Sequence, residues 1–240
     1  MLPAVQTEPV RIRWGLGDFA WGWLLAVVVG PAVVGSLLLS ARGRGPHVSS
    51  DAFDVAAGSF GALLATVVFL ILLSKYRGSR SLSADFGLAL RIGDWPWLVA
   101  GVGVALVANY GVVVIDAIAG SKQQQDVARA IEHSGTLARV IGAVAVVVFA
   151  PLAEELLFRG LLLRGLLRRV GAVPAAAVCG GAFAVGHLID PNAAPFLAPL
   201  ALLGVISSMR AIRTGELSQS ILLHAGFNLL SAISLLAGFP

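Results

Sequence analysis

The sequence predicts an all-α fold, a polytopic transmembrane helical bundle of about seven membrane helices with short interfacial helices. Hydrophobic residues make up 58% of the 240 residues, charged residues make up only 12%, and the mean hydropathy is +0.88. Soluble domains carry about 25% charged residues, so this composition excludes a soluble globular enzyme. A disordered chain is also excluded, because disorder requires low hydrophobicity and high charge.

The spacing of the charged residues predicts the individual helices. Six of the seven charge-free runs are 19 to 24 residues long and the fourth has 14: 19–41, 55–74, 95–115, 140–153, 170–189, 191–209 and 217–240. A helix needs about 20 mostly apolar residues to cross a bilayer. The first run exceeds the roughly 7–15 apolar residues of a signal peptide and no clear cleavage site follows it. We therefore expect it to be a retained helix.

The distribution of Lys and Arg predicts the orientation. With the N-terminus in the cytoplasm, 12 of the 17 basic residues fall on the inside and the C-terminus lies outside. Residues 81–94 mix apolar and charged side chains, which predicts an amphipathic interfacial helix. The pI of about 10.0 is attributed to loops facing anionic lipid and not to nucleic acid. These features fit a bacterial plasma membrane and a single integral membrane domain, residues 1–240.

The short fourth run brings two carboxylates into the membrane. Residues 140–153 reach only about 21 Å, against about 30 Å of hydrocarbon, so the helix must continue through Glu154 and Glu155. Glu155 and Arg159 have the i,i+4 spacing of a helical ion pair, which leaves Glu154 without an obvious partner. Pro151 removes the hydrogen bond to the carbonyl of Val147 and predicts a kink.

Two histidines and an asparagine lie in later runs. If the fourth and fifth helices turn near Gly171, where glycine suits a helix C-terminus, Glu154 and His187 lie at nearly equal depth. His224 and Asn228 share a helix face. With that helix starting near residue 215, His224 is about 13 Å along it, which leaves a mismatch of about 10 Å with Glu154. A tilt, or an inward dip of residues 210–216, would remove this mismatch.

These groups suit hydrolysis in two alternative ways. A carboxylate in a low-dielectric cavity can act as a general base on water, while imidazole and carboxamide groups donate to a developing oxyanion. Alternatively, Glu155, His187 and His224 are three zinc ligands with an open fourth position, and Glu154 is the base acting on metal-bound water. The motif His-Glu-x-x-His is absent from the sequence, so the metal hypothesis cannot rest on it.

The remaining polar residues have simpler interpretations. We interpret Cys179 as a small packing residue, and Asn109 and Asp116 as hydrogen-bonding partners of neighbouring helices. His47 and His133 lie in polar segments, and we interpret both as solvated surface residues.

Three motifs together resemble a known family. Glu154-Glu155-x-x-x-Arg159, Phe183-x-x-x-His187 and His224-x-x-x-Asn228 resemble, in this order, the motifs of the CAAX protease and bacteriocin-processing family of intramembrane proteases. That family includes the type II CAAX prenyl endopeptidases. The resemblance covers about residues 95–236, the expected catalytic core.

The resemblance implies a role for each residue. Glu154 would activate the hydrolytic water, His187 and His224 would position it, and Asn228 would stabilise the oxyanion. Glu155, Arg159 and Phe183 would support the site. The family has been described both as zinc metalloproteases and as metal-independent glutamate proteases, so zinc or another divalent metal stays possible as a cofactor. The implied substrates are peptides or membrane proteins, prenylated or not.

Two other classes of function are compatible with the sequence. One is a non-enzymatic membrane protein of the same fold, such as an immunity factor or a scaffold. The other is a small transporter, because intramembrane Glu and His also form proton relays. The absence of recognisable repeat halves from the sequence argues against a transporter.

Overall fold

The structure, a computed structural model, describes residues 13–41, 52–119 and 126–237, and it confirms the predicted fold class. All regular elements of these segments are helical. They form nine helical stretches: α1 (Leu16–Leu24, Leu25–Val29 and Gly30–Ala41), α2 (Ala52–Arg77), α3 (Leu82–Phe86), α4 (Pro96–Ala119), α5 (Asp126–Glu132), α6 (Thr136–Val144, Ala145–Phe149, Ala150–Glu155, Leu156–Leu163 and Arg164–Leu167), α7 (Ala172–Gly186), α8 (Leu197–Thr214) and α9 (Ser218–Ala237). Three short 3₁₀ turns link them: Ile92–Asp94, His187–Ile189 and Pro191–Phe196.

Six helical segments within the described residues are long and apolar enough to cross a membrane: Leu16–Leu38, Ala52–Arg77, Ile92–Val112, Thr136–Leu167, Ala172–Ile189 and Pro191–Thr214. They correspond to the first six charge-free runs. The seventh run falls on α9, which has 20 residues and is not among the six, so the count of seven stays a prediction. Many large apolar side chains on these helices are exposed, as expected of a surface that faces lipid. The chain is an integral membrane protein.

Close helix contacts place α6 at the centre of the bundle. Of the six segments, Thr136–Leu167, which contains α6, has the largest buried fraction. Helices α4 and α9 pack at Gly101 and Gly226, where an added Cβ would overlap the carbonyl oxygens of Leu223 and Leu98. Such small residues let transmembrane helices approach closely. The short backbone distance fixes α9 beside α4, and α9 also packs against α6.

Two local predictions are wrong. Residues 81–94 do not form one amphipathic helix, because the chain leaves α3 through Gly87, which has a left-handed φ of 74°. The residues after Gly87 have no regular structure as far as the 3₁₀ turn at Ile92–Asp94, before which Arg91 is extended. The chain does turn between α6 and α7, but Gly171 is the extended N-cap of α7 and not the C-terminus of α6. The helix ends earlier, at Leu167.

Candidate active site

Helix α6 extends beyond the short fourth charge-free run and contains both carboxylates, Glu154 and Glu155. It is helical from Thr136 to Leu167, so the prediction that it continues through Glu154 and Glu155 is confirmed. Two π segments, Ala145–Phe149 and Leu156–Leu163, flank the six residues Ala150–Glu155. π segments inside α-helices are rare and occur often at functional sites. They therefore mark the stretch that holds the two carboxylates.

Glu155 and Arg159 form the predicted ion pair. Both side chains are fully buried, with 2.9 Å between Nη1 of Arg159 and Oε1 of Glu155. Nη2 of Arg159 donates to the carbonyl of Gly204 on α8 at 3.0 Å. The guanidinium also lies 4.6 Å from the ring centroid of Phe183 on α7. The arginine therefore links three helices and neutralises one of the two carboxylates.

His224 lies between the two carboxylates. Its Nδ1 is 3.0 Å from Oε1 of Glu155, and its Nε2 is 3.7 Å from Oε2 of Glu154. Glu155 is paired with Arg159 and can only accept a hydrogen bond, so we assign the proton to Nδ1. In a neutral imidazole, Nε2 then presents its lone pair toward Glu154. The side chain of His224 is only 3% exposed, which holds the ring in this orientation.

Glu154 differs from Glu155 in its surroundings. Its side chain is 30% exposed, and its buried Oε2 atom has no hydrogen-bond partner. The distance of 3.7 Å between this atom and Nε2 of His224 is longer than a direct hydrogen bond. Glu154 is therefore the carboxylate of the pair that is open to water or substrate.

An inward dip of the turn between α8 and α9 removes the expected depth mismatch. The N–H of Leu217 donates to the carbonyl of Gly87 at 2.8 Å. A Cβ on Gly160 would lie 3.2 Å from the carbonyl of Phe86 and 3.6 Å from Cδ1 of Leu217. Helix α9 thus begins at the level of Gly160, well inside the end of α6. Six residues on each helix, about 9 Å, then separate this level from Glu154 and from His224.

Phe183 connects His187 to the rest of the site. Its ring, fully buried, lies 4.8 Å from the ring centroid of His187 and 5.4 Å from that of His224. Nδ1 of His187 lies 2.9 Å from the carbonyl of Phe183. Because that carbonyl can only accept, the proton belongs on Nδ1 and Nε2 is left for another partner. His187 is therefore oriented by its own helix end.

Asn228 contacts α6 farther along the helix. Its Nδ2 donates to the carbonyl of Val146 at 2.8 Å. Asn228 is one turn beyond His224, so both side chains lie on the face of α9 that packs against α6. The structure thus brings the carboxylates, His224, Arg159 and Phe183 into direct contact, with His187 and Asn228 at two edges.

The three candidate zinc ligands do not fit a metal site in this arrangement. Within residues 13–41, 52–119 and 126–237, no three or more His, Cys, Asp and Glu side chains are grouped so that they could hold a metal ion. Oε1 of Glu155 is shared between Arg159 and Nδ1 of His224.

The other polar residues lie outside the site. Cys179 is buried, with its thiol 3.3 Å from the carbonyl of Phe158, which agrees with a packing role. His133 is exposed, as predicted. Asn109 is exposed on α4. This exposure disagrees with the predicted hydrogen bond to a neighbouring helix. His47 and the side chain of Asp116 lie outside the described part of the chain.

Two contacts of the site were missed by the sequence analysis. They are the carbonyl groups of Gly204 and Val146, which accept hydrogen bonds from Arg159 and Asn228. Backbone acceptors leave no side-chain pattern in a sequence. Pro151 was the available signal, because a proline inside a helix leaves a carbonyl without its donor.

The site residues fall inside a region with a recognised family relationship. Residues 136–230 match the family model described as Rce1-like: Type II CAAX prenyl endopeptidase Rce1-like. Within these residues the chain is similar to that family. The match covers less than half of the chain and includes all three motifs, so the resemblance seen in the sequence is confirmed there. No match to the chain was found among curated proteins or among solved structures. The Rce1-like family is a family of membrane-embedded proteases.

Proposed function

We propose that this protein is an intramembrane endopeptidase that hydrolyses peptide bonds of membrane-associated substrates, prenylated peptides included. The observation that carries the proposal is the contrast between two adjacent carboxylates. Glu155 is fully buried and paired with Arg159, whereas Glu154 is partly exposed and lies 3.7 Å from His224. Only Glu154 is free to exchange a proton with water. The Rce1-like match of residues 136–230 agrees with this chemistry.

The proposed reaction starts with a water molecule held between Glu154 and His224. Glu154 takes a proton from the water while the oxygen of the water attacks the carbonyl carbon of the substrate. The carbonyl oxygen becomes an oxyanion, which accepts a hydrogen bond from the amide of Asn228. The carbon–nitrogen bond then breaks, and Glu154 returns the proton to the leaving amine. His187 faces the same water or the substrate through Nε2.

Three residues act by positioning the others. Glu155 fixes the tautomer of His224, and Arg159 balances the charge of Glu155. Phe183 separates the two imidazole rings and holds both in edge contacts. Removing one of these residues disturbs the geometry without removing the base. A geometric error of about 1 Å in such a site can reduce the rate about 100-fold.

We place the catalytic core at residues 95–236 of a single domain, residues 1–240. The excess of basic residues in one set of loops supports a cytoplasmic N-terminus and an external C-terminus. The same bias supports residence in a bacterial plasma membrane. Substrates would reach Glu154 from the lipid phase or from a water-filled part of the bundle, because its side chain lies on a membrane-spanning helix and is 30% exposed.

The proposal is tested by cleavage of a peptide library, with farnesylated and unmodified members, by the purified full chain in detergent. Wild type, Glu154→Gln and the control Glu216→Gln are compared, each with and without a strong chelator. We expect Glu154→Gln to lower the rate by about 10²–10⁴-fold and the control, whose carboxylate pairs with Arg91 away from the site, to match wild type. We expect the cleavage rate of wild type to be the same with and without the chelator.

Other outcomes favour other functions. Loss of wild-type cleavage with the chelator would support a metal and contradict the metal-free mechanism. Absence of cleavage by wild type, with a cellular phenotype that Glu154→Gln retains, would favour an immunity factor or scaffold. Substrate flux into proteoliposomes that requires Glu154 would favour a transporter.

A further inference from the structure

A proline in the interior of α6 leaves one carbonyl group of that helix without a backbone donor. In a regular α-helix, the N–H missing from Pro151 would leave the carbonyl of Val147 unpaired. Here the preceding turn is a π segment, and the N–H of Ala150 donates to the carbonyl of Ala145, five residues earlier. The next pair in this register joins the carbonyl of Val146 to residue 151. That residue is proline, so the carbonyl of Val146 needs another donor.

The side chain of Asn228 supplies this donor. Its Nδ2 lies 2.8 Å from the carbonyl oxygen of Val146. An unpaired carbonyl at membrane depth is costly, because no lipid group can donate to it. The contact also determines the orientation of the amide, since only the NH₂ group, and not Oδ1, can face a carbonyl oxygen. The missing N–H of Pro151 and the amide of Asn228 are therefore complementary.

We propose that Pro151 is a positioning residue: through the carbonyl of Val146, it fixes the amide of Asn228 for the reaction. A primary amide has two N–H groups. One is held by Val146, and the second points elsewhere in a fixed direction, toward the developing oxyanion. The helix thus pre-orients a donor before substrate arrives, which is the condition for efficient electrostatic stabilisation. This inference rests on the proposed function for its catalytic consequence, but not for the hydrogen-bond pairing itself.

The pairing is tested by a double-mutant cycle on thermal unfolding of the full chain in detergent. The variants are Pro151→Ala, Asn228→Ala and their combination. Asn228→Ala leaves the carbonyl of Val146 unpaired, and we expect the unfolding midpoint to fall by about 2–4 °C. Pro151→Ala restores a backbone N–H, so Asn228→Ala should lower the midpoint by less than half as much in that background. The control is Pro174→Ala. Pro174 lies in the first turn of α7, where a missing N–H leaves no carbonyl unpaired.

A second substitution of Asn228 controls for the loss of side-chain volume in Asn228→Ala. Asn228→Leu keeps the size and branching of the side chain but removes both N–H groups. It should therefore lower the midpoint in the wild-type background, and by less than half as much together with Pro151→Ala. Equal losses for Asn228→Ala in both backgrounds would overturn the pairing. So would an Asn228→Leu variant as stable as wild type.

The catalytic consequence is tested by the kinetics of Pro151→Ala on a peptide that wild type cleaves. With the amide of Asn228 released, we expect kcat to fall about 10-fold or more, KM to stay within about 2-fold, and the unfolding midpoint not to fall. Loss of a contact made only in the transition state gives this pattern. An unchanged kcat would overturn the positioning role. If wild type cleaves no peptide, the proposed function fails, while the stability cycle still decides the pairing.

Discussion

The buried ion pair between Glu155 and Arg159 allows the sharpest prediction about stability. Replacing Arg159 with Met keeps most of the side-chain volume but removes the positive charge. Glu155 then remains fully buried without its partner, and the carbonyl of Gly204 loses one of its two side-chain donors and keeps the hydroxyl of Ser208. Breaking one side of a buried pair costs about 3–5 kcal/mol. For a chain of this size, about 4 kcal/mol lowers the unfolding midpoint by about 8–16 °C.

The measurement is the thermal unfolding midpoint of Arg159→Met in detergent, followed by intrinsic tryptophan fluorescence. Arg91→Met is the matched control, because Arg91 pairs with Glu216 at the surface, where ion pairs contribute little. The double variant Glu155→Gln with Arg159→Met removes both charges. We expect it to be more stable than Arg159→Met alone, since no unpaired charge remains buried. Two results would refute the reasoning: a midpoint for Arg159→Met no lower than that of the control, or a double variant less stable than Arg159→Met.

Three further predictions follow from other contacts. Gly226→Val should lower the midpoint and the folded yield in detergent, because the added atoms overlap the carbonyl of Leu98, whereas Gly103→Val should not, since an added Cβ there meets no atom within 4 Å. Burial raises the pKa of Asp190, but the backbone amides of Asp126 and Asn192 outweigh it and lower that pKa below its ordinary value; this stabilisation is therefore complete above the unfolded pKa, about 3.9, and is lost as pH falls through the lower folded value. Between pH 7 and 3 the unfolding midpoint should fall further in wild type than in Asp190→Asn, in which other carboxyl groups with lowered pKa values remain, and equal acid sensitivity of the two would contradict it. His187→Ala should reduce cleavage with little change in the midpoint, because the hydrogen bond of its ring is made within its own helix end; a large drop in the midpoint would indicate a structural role instead.

The sequence predicts the fold class because one physical effect dominates it. Charges are costly in hydrocarbon, so they occur between the spans, and six charge-free runs coincide with apolar helices of the structure. The ion pair of Glu155 and Arg159 is predictable for a similar reason. Their spacing is local, and any helix through these residues brings the two side chains together.

The remaining features depend on contacts between distant parts of the chain. The level at which α9 begins is fixed by the hydrogen bond between Leu217 and Gly87, residues far apart in sequence. The partner of Asn228 is a backbone carbonyl, which has no sequence signature. The end of α3 at Gly87 overrides the amphipathic pattern of residues 81–94 because a left-handed residue stops the helix. Such features become visible only when the helices are packed.

The two π segments of α6 have a consequence for how this region tolerates change. In an α-helix, each residue rotates the chain by about 100°, and a π turn accommodates roughly one extra residue. The angular phase of Glu154 and Glu155 relative to α9 therefore depends on the number of residues in Ala145–Phe149. Point substitutions there preserve this phase, whereas loss of a single residue would rotate both carboxylates away from His224. Among homologous sequences, we expect insertions and deletions to be rarer in α6 than in the turn at residues 168–171.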